Sequence, residues 1–404
     1  MARKKEKKVL EKKNWVQNFI LIGSAVVKDY TFKIDEHSNK SDWIYNLMNL
    51  NIDCGDRHGK IGCELMGGYS LGRDLPIYVH GKKDDGNDDF ENQYTIDWED
   101  RFDSEYLKDI GELCFIKIGI EKDVNDKLVI NKFLTPYDAI AYLEENLKDG
   151  MRIKVRGQLK YTLYQDAIQT RKEVNTIYLA KDEEKDTAEF TQTVLLDKYS
   201  VEKADKDKCV FPINGYVLEK FKEFNGNDLT DGGTVKGGKF VPLRKKFEYE
   251  YDPSDPEKVK KAIEKVFKVK RDVNQITFQG IFVEGGATVQ ATEDDLTDDI
   301  KELIELGYYT LEAALTQCSE NSGKERRMIL KRPLIKLVGE DGNKVPQIQK
   351  FEGVYTDDDL MPDYIIKHEE PDDSENEEVP FAEEGTDESQ LNDINDDSWL
   401  DNIV

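Results

Sequence analysis

Apolar and polar residues alternate along residues 149–164, DGMRIKVRGQLKYTLY. Every second position from Met151 to Tyr161 is apolar or glycine, and the intervening positions are cationic or polar. Because successive side chains of a strand point to opposite faces, this pattern predicts a β-strand with one core face and one basic face. Gly157, in the middle of the core positions, is typical of the bent or coiled strands found in small closed barrels.

The basic face of this strand carries Arg152, Lys154, Arg156 and Lys160. Cations at alternate positions lie about 6 to 7 Å apart, and they repel each other unless an anion lies over them. The pattern therefore favours a surface for a polyanion. An ordinary solvated sheet face is the alternative.

Alternating patterns between turn-forming clusters predict further strands in the first half of the chain. They cover residues 16–34, 43–53, 60–69, 113–121, 127–134 and 169–180. The cluster Cys54-Gly-Asp-Arg-His-Gly59 predicts a tight turn that joins the second and third of these strands into a hairpin. The acidic residues 83–104 predict an exposed loop.

One helix is predicted at residues 136–148, with Thr135 as N-cap and Pro136 at the first helical position. It leads directly into the basic strand. A mostly β chain of five or more antiparallel strands, with one helix just before a strongly coiled strand, has the element order of an OB-fold. That fold is a partly open five-stranded barrel that binds oligonucleotides.

A second unit repeats this order between residues 189 and 355. Strands are predicted at 189–200, 209–221 and 240–251, and a helix begins at Pro256. It precedes a strand in which Ile276, Phe278, Gly280 and Phe282 follow the pattern of residues 153–159. We interpret this as a degenerate internal repeat and a second OB-like module, with chance similarity as the alternative. Thr277, Gln279 and Ile281 stand where the first strand has cations. One or two helices are predicted within residues 293–319.

Charge is distributed unevenly along the 404 residues, whose formal net charge is −26. Residues 356–404 hold 19 Asp plus Glu against Lys367 alone, which leaves −8 for the first 355 residues. Residues 1–13 hold seven Lys plus Arg and two Glu. The expected organisation is a basic arm (1–13), an OB-like module (14–185), a second module (189–355) and a disordered acidic tail (356–404). Whole-chain charge therefore says little about what the modules bind.

The composition excludes some classes of protein. No apolar run approaches 18 residues, so no membrane span is expected. Five dispersed cysteines favour a reducing, cytoplasmic setting.

Three local motifs are weak indicators of chemistry. Residues 233–239 match the glycine and lysine spacing of a phosphate-binding loop, but Phe240 stands where Ser or Thr would hold magnesium. We interpret this segment as a flexible hairpin loop that could close over nucleic acid, with the nearby cations Lys236, Lys239, Arg244 and Lys245.

Cys54, His58 and Cys63 have the spacing of a zinc knuckle, which Cys114 would have to complete. Buried strand cysteines beside a turn histidine are the favoured interpretation, so we expect neither metal nor cofactor. The four histidines lie near no nucleophile motif, and we expect no catalysis.

Binding of single-stranded nucleic acid without sequence preference requires cations for phosphates and aromatic rings for bases. Trp43 and Tyr45 share one face of a predicted strand, and Tyr164 ends the basic strand. With Lys60 and the four cations of the basic face, these residues form the candidate nucleic-acid site.

The C-terminal residues narrow the hypothesis. Val379, Pro380 and Phe381 follow two glutamates in the acidic segment, and Trp399 and Leu400 lie close to the end. A basic OB barrel followed by an acidic tail with a short hydrophobic tip resembles the single-stranded DNA-binding proteins of bacteria and their phages. The chain departs from the family pattern because Phe381 lies 23 residues before the C-terminus; Trp399–Val404 are the alternative tip.

This resemblance implies sequence-tolerant binding of single-stranded DNA in phage replication or recombination, in the cytoplasm of the host. It also implies that the tail, through the residues just named, recruits replication or recombination proteins. A virion structural or assembly protein built on OB-like protein-binding barrels is the alternative.

Overall fold

The computed structural model describes residues 10–39, 41–71, 76–164, 167–230, 237–285, 325–339 and 344–365, with isolated residues between 296 and 315. The described chain is mostly β. It forms two compact units, of which the first contains residues 17–191 and 280–328. The second contains residues 1–16, 192–279 and 329–404.

The first unit contains ten strands and two helices within residues 17–179. The strands are β1 Gln17–Val26, β2 Phe32–His37, β3 Trp43–Asp53, β4 Lys60–Ser70, β5 Ile77–Lys82, β6 Asp88–Ile96, β7 Ile116–Lys122, β8 Leu128–Phe133, β9 Arg152–Tyr164 and β10 Ala167–Leu179. The helices are α1 Ser104–Leu107 and α2 Pro136–Asn146, with a 3₁₀ turn at Glu112–Cys114.

Five of these strands close into a barrel in the order β1, β3, β4, β10, β9 and back to β1. The β4–β10 contact is parallel, through Glu64 and Glu173, and the other four contacts are antiparallel. Helix α2 lies in sequence between the third and fourth barrel strands. This strand order and helix position are those of the OB-fold, so the predicted fold class is confirmed.

The core face of β9 is the predicted one. Ile153, Val155, Leu159 and Tyr161 are buried. A side chain at Gly157 would overlap the Glu173 carbonyl oxygen and lie 2.7 Å from Cε1 of Phe19, so only glycine lets β10 approach here.

Helix α2 begins as predicted. The Thr135 hydroxyl accepts a hydrogen bond from the Asp138 N–H at 3.2 Å, and Ala139, Ile140 and Leu143 are buried.

The second unit and the strands that lead into it contain ten more strands. They are β11 Thr187–Leu196, β12 Val210–Phe221, β13 Glu223–Phe224, β14 Asn227–Asp228, β15 Lys239–Glu250, β16 Val273–Glu284, β17 Arg326–Pro333, β18 Ile335–Val338, β19 Val345–Ile348 and β20 Lys350–Tyr355. Helix α3, Pro256–Ala262, continues as a π-helical turn at Ile263–Phe267. Helix α4 is Asp357–Leu360, and a 3₁₀ turn follows at Asp363–Ile365.

These strands also form a closed ring of five, in the order β11, β12, β15, β17, β16 and back to β11. The β15–β17 contact is again the parallel one, through Glu248 and Ile329. Helix α3 again precedes the fourth ring strand. Ile276, Phe278 and Phe282 are buried as predicted, and Phe267 stacks on Phe278 with ring centroids 5.2 Å apart. The predicted internal repeat is therefore a second barrel of the same topology.

Two predictions for the first unit were wrong. Residues 16–34 are not one strand, because a turn closed by the Thr31 N–H on the Lys28 carbonyl at 2.9 Å separates β1 from β2. Residues 83–104 are not simply a loop, because β6 pairs with β5. This hairpin rests on a small core of its own, Val79, Ile96, Ile110 and Phe115. Its many acidic side chains hid the short apolar pattern.

The predicted boundaries also need correction at both ends. Leu10 is buried and the Lys13 N–H donates to the Tyr355 hydroxyl at 3.0 Å, so residues 10–13 are not part of a free arm. Thr356 caps α4 and Leu360 is buried, so residues 356–365 belong to the second unit. A few apolar residues fix these charged segments against the core. Residues 280–328 group with the first unit rather than with the second module.

None of the helices in the described ranges is long and apolar enough to cross a membrane.

Candidate nucleic-acid interface

An aromatic pair lies on the outward face of β3. The rings of Trp43 and Tyr45 stack with centroids 5.1 Å apart and planes 23° from parallel, and both side chains are half-buried. Gly68 of β4 is opposite Tyr45, and a Cβ there would lie 2.8 Å from the Tyr45 Cβ. The missing side chain leaves room for the ring. Leu47 and the exposed Met66, which face each other next along the strands, extend this surface. We call Trp43, Tyr45, Leu47 and Met66 the aromatic strip.

Polar side chains continue the same face toward the turn at residues 54–59. Asn49 is opposite Glu64, Asn51 is opposite Gly62, and Lys60 is opposite Asp53. Lys60 is exposed, as the sequence predicted for a phosphate contact. Amide groups can donate and accept hydrogen bonds on any base, so this part of the face suits polar contacts rather than stacking.

The basic face of β9 is partly neutralised by the chain itself. Arg152 forms an ion pair with Asp186 and donates to the Glu184 carbonyl oxygen, and Lys154 pairs with the Glu184 carboxylate. The hydrogen bond from Lys154 lowers the pKa of Glu184. The expectation that only a foreign anion could lie over these cations was therefore wrong for two of the four.

Arg156 and Lys160 are the other two predicted cations. Arg156 is exposed, opposite Ile20 on β1 and Thr176 on β10. Lys160 is half-buried, opposite Arg171, which is itself paired with Glu64. Neither cation has an ion pair among the described residues. Tyr164, at the end of the strand, is 59% exposed. These three are the side chains of β9 most available to a ligand.

The aromatic strip and the cations of β9 share one barrel wall. Strands β4 and β10 lie between β3 and β9, so the two groups are roughly 14 Å apart at about 4.8 Å per strand. A ligand that contacts both must therefore be extended across several strands. A nucleic-acid strand of a few nucleotides has that length.

The cations predicted in the second unit are more dispersed. Arg244 is exposed and lies opposite Tyr216, whereas Lys245 is opposite Gly215 and half-buried. The Lys239 ammonium lies 5.4 Å from the centroid of the Tyr364 ring. Lys236, like the predicted partner-binding residues Val379, Pro380, Phe381, Trp399 and Leu400, lies outside the described residues.

The outward face of the second barrel is covered by its own chain. Leu195 and Leu218 are buried under Leu10, Tyr355 and Leu360. Trp15, Tyr216 and Phe240 pack against the same cluster. Thr277 and Gln275, which correspond to the cationic positions of β9, are also buried. The two barrels share a topology but not an accessible face.

The sequence gave no indication of a second aromatic cluster in the first unit. The Trp98 ring lies 5.2 Å from Tyr69 and 5.9 Å from Tyr137. The Arg101 guanidinium lies 4.3 Å from the Trp98 ring, and Arg101 is paired with Asp138 at 2.9 Å. Trp98 and Arg101, three residues apart in an otherwise acidic segment, were the only available signal.

The proposed knuckle residues are not assembled. His58 is buried with Nδ1 2.9 Å from the Phe282 carbonyl oxygen. Burial raises the pKa of the Cys54 and Cys63 thiols to about 12, so both stay protonated at neutral pH. Cys114 lies elsewhere, with its Sγ 3.3 Å from Nδ1 of His80. Within the described ranges, no group of His, Cys, Asp and Glu is arranged to hold a metal ion.

The topology defines a protein of two OB-fold barrels. A family model described as YorF matches residues 115–277, which is less than half of the chain. No curated protein has a significant sequence match. Among solved structures, a deletion variant of the single-stranded DNA-binding protein from Thermus aquaticus aligns over 81% of this chain and 98% of its own, with 9% identity and a TM-score of 0.30. Similarity at that level does not bear on function.

Proposed function

We propose that the first barrel binds single-stranded DNA with little sequence preference, along the wall from β3 to β9. The observation that carries the proposal is the stacked pair of Trp43 and Tyr45 on an outward OB-fold face. Half-exposed aromatic rings beside cations are what sequence-tolerant binding of single strands requires, because every base has a face that can stack. The proposal includes no catalytic step.

Each side chain of the site has a stated role. Trp43 and Tyr45 stack on bases, and Leu47 and Met66 give an apolar surface beside them. Lys60, Arg156 and Lys160 contact phosphates, and Tyr164 stacks on a base at the far end of β9. Arg152 and Lys154 hold the segment around Glu184 and Asp186 in place, so we expect them to contribute less to binding than Arg156.

The second barrel has a supporting role in this proposal. Its corresponding face is covered by residues 10–15 and 354–360, which leaves no ring available for stacking. Arg244 and the nearby Lys236, Lys239 and Lys245 then act as an auxiliary cationic patch.

The biological role that we propose is DNA replication or recombination of a phage, in the cytoplasm of its host. The resemblance of the chain to phage single-stranded DNA-binding proteins supports it, with recruitment of protein partners by Val379–Phe381 and by Trp399 and Leu400.

The test is a fluorescence titration with oligo-dT at two salt concentrations. Each phosphate contact contributes a log-log slope of about −0.7, so three or four contacts give a slope of roughly −2 to −3. Stacking is worth about 1 to 3 kcal/mol per base. Trp43→Ala should therefore weaken binding several-fold or more at either salt concentration.

The matched control is Phe102→Ala, which removes a ring that is 61% exposed and lies outside the aromatic strip. It should leave the affinity unchanged. Absence of binding at low salt, or equal losses in the two variants, would contradict the proposal.

A further inference from the structure

Strands β18 and β19 form a two-stranded ribbon that pairs with no other strand of the described chain. All eight residues of the two strands are exposed. Ile335 and Leu337 of β18 are 63% and 65% exposed. They lie opposite Ile348 and Pro346 of β19, so these four apolar residues share one face. A ribbon of two strands is marginally stable alone.

The base of the ribbon is firmly attached to β16. The Leu334 N–H donates to the Thr277 carbonyl at 2.7 Å, and the Thr277 N–H donates to the Gln349 carbonyl at 3.1 Å. The Gln349 N–H donates to the Leu334 carbonyl at 2.8 Å. Thr277 and Gln349 are buried. The barrel therefore fixes the position of the exposed strands.

These bonds also fix which main-chain groups point outward. Because Leu334 and Gln349 are a hydrogen-bonded pair, the main-chain groups of Ile335 and Leu337 point away from β19. On β19 the outward groups are those of Pro346 and Ile348. Proline has no N–H to donate, which blocks pairing at that edge. The outer edge of β18 has no such block.

We propose that β18 pairs edge to edge with β18 of a second copy of this chain, antiparallel and about a two-fold axis. A two-fold contact joins a surface to itself, so one open edge is sufficient for both copies. The joined sheet then has a β19 strand on each outer edge, and Pro346 stops further addition. Pairing centred on Leu337 places Lys336 opposite Val338 of the partner copy, which keeps the two Lys336 ammonium groups apart.

The contact is small and therefore weak. Two four-residue strands bury far less than the roughly 1,600 Å² of a stable complex, so the dimer forms only at high local concentration. The chain carries a net charge of −26, and copies repel each other at low salt. Salt should strengthen the dimer, whereas it weakens nucleic-acid binding. Copies on one DNA strand would be concentrated enough to pair, and only this consequence rests on the proposed function.

The test is sedimentation equilibrium of the full chain without nucleic acid, over increasing protein concentration at low and high salt. We expect a monomer–dimer equilibrium that shifts toward dimer at high salt. Leu337→Pro removes the outward N–H at the centre of the contact without removing a bond inside the ribbon, and should abolish the dimer. Leu337→Thr keeps that N–H and should retain it. Melting temperatures of both variants should match that of the parent protein.

Three results would overturn the proposal: a parent protein that stays monomeric at every concentration, a dimer that persists in Leu337→Pro, or equal loss in Leu337→Thr. The last would assign the contact to the side chain instead of the strand edge. Titration of Leu337→Pro with a short oligo-dT keeps this question separate from nucleic-acid binding, since one bound copy should have unchanged affinity.

Discussion

At the scale of single residues, two arginines on one strand face allow a direct comparison. Arg152 and Arg156 are four positions apart on β9, and only Arg152 forms an ion pair within the chain. A cation that already neutralises Asp186 gains less from a phosphate than an exposed cation does, because it must exchange one anion for another.

We therefore expect Arg156→Gln to weaken oligo-dT binding and to reduce the salt slope by about 0.7. Arg152→Gln should change the affinity less and lower the melting temperature more, since it leaves Asp186 without its partner. Both quantities come from titrations and thermal melts of the two variants. A larger loss of affinity in Arg152→Gln would reverse the assignment of roles.

Glu112 shows the same balance of charge within the fold. Its carboxylate lies 2.8 Å from the Lys132 ammonium, 2.9 Å from that of Lys117 and 3.2 Å from that of Lys82, and so joins β8, β7 and β5. Hydrogen bonds from Lys132 and Lys117 are the main cause that lowers the pKa of Glu112 to about 2. A pKa below the ordinary value of about 4.3 means that folding favours the ionised form.

The stabilisation by Glu112 is thus fully present above about pH 4.3 and is lost as the pH falls toward 2. Glu112→Gln should lower the melting temperature at pH 7, and the difference from the parent protein should shrink below pH 4. Glu105→Gln, a carboxylate that is 77% exposed, is the control and should have little effect. A difference that is constant with pH would show that charge is not the cause.

At the scale of elements, the alternating pattern of β9 is explained by its place in the barrel. The core positions are filled by apolar side chains except at Gly157, where β9 and β10 come too close for a Cβ. Gly157→Ala should destabilise the protein by about 1 to 3 kcal/mol, the usual cost of overpacking a core.

Denaturant unfolding measures this effect, with Gly62→Ala as the control. A Cβ at Gly62 would meet only the Asn51 Oδ1 at 3.3 Å, and that flexible side chain can move. Equal stability losses in the two variants would show that the barrel is not tight at Gly157.

At the scale of the whole molecule, the ends of the chain have different roles in neighbouring segments. Residues 356–365 belong to the packed second unit, where Leu360 is buried and the Tyr364 hydroxyl donates to the Phe240 carbonyl at 2.6 Å. Residues 366–404 hold 15 Asp plus Glu against one Lys. A segment of that charge competes with nucleic acid for the cations of the protein, and salt screens the competition.

Removal of residues 366–404 should therefore tighten oligo-dT binding at low salt, leave the melting temperature unchanged and abolish capture of replication or recombination proteins. Removal of residues 356–404 should also lower the melting temperature, because it exposes the cluster around Leu10 and Tyr355. Affinity titrations, thermal melts and pull-downs compare the two truncations. Unchanged DNA affinity and an unchanged set of captured proteins in the shorter truncation would leave the tail without either role.

The sequence alone determined most elements of both barrels. The 43–53 and 60–69 hairpin, helix α2 with its Thr135 cap, and the core face of β9 depend on neighbours within a few residues, so alternation and turn chemistry suffice to predict them. The similarity between residues 153–159 and 276–282 was enough to indicate a second barrel, because both strands fill the same place in the same topology.

Only the tertiary structure decided which of these surfaces is accessible. Arg152 and Lys154 meet Asp186 and Glu184, some 30 residues further along the chain. Leu10 and Leu360, from opposite ends of the sequence, cover the face of the second barrel. Local patterns contain no record of such distant partners, since burial and ion pairing depend on where the folded chain brings each side chain. The sequence could therefore identify two barrels, but the assignment of the candidate interface to the first one required the fold.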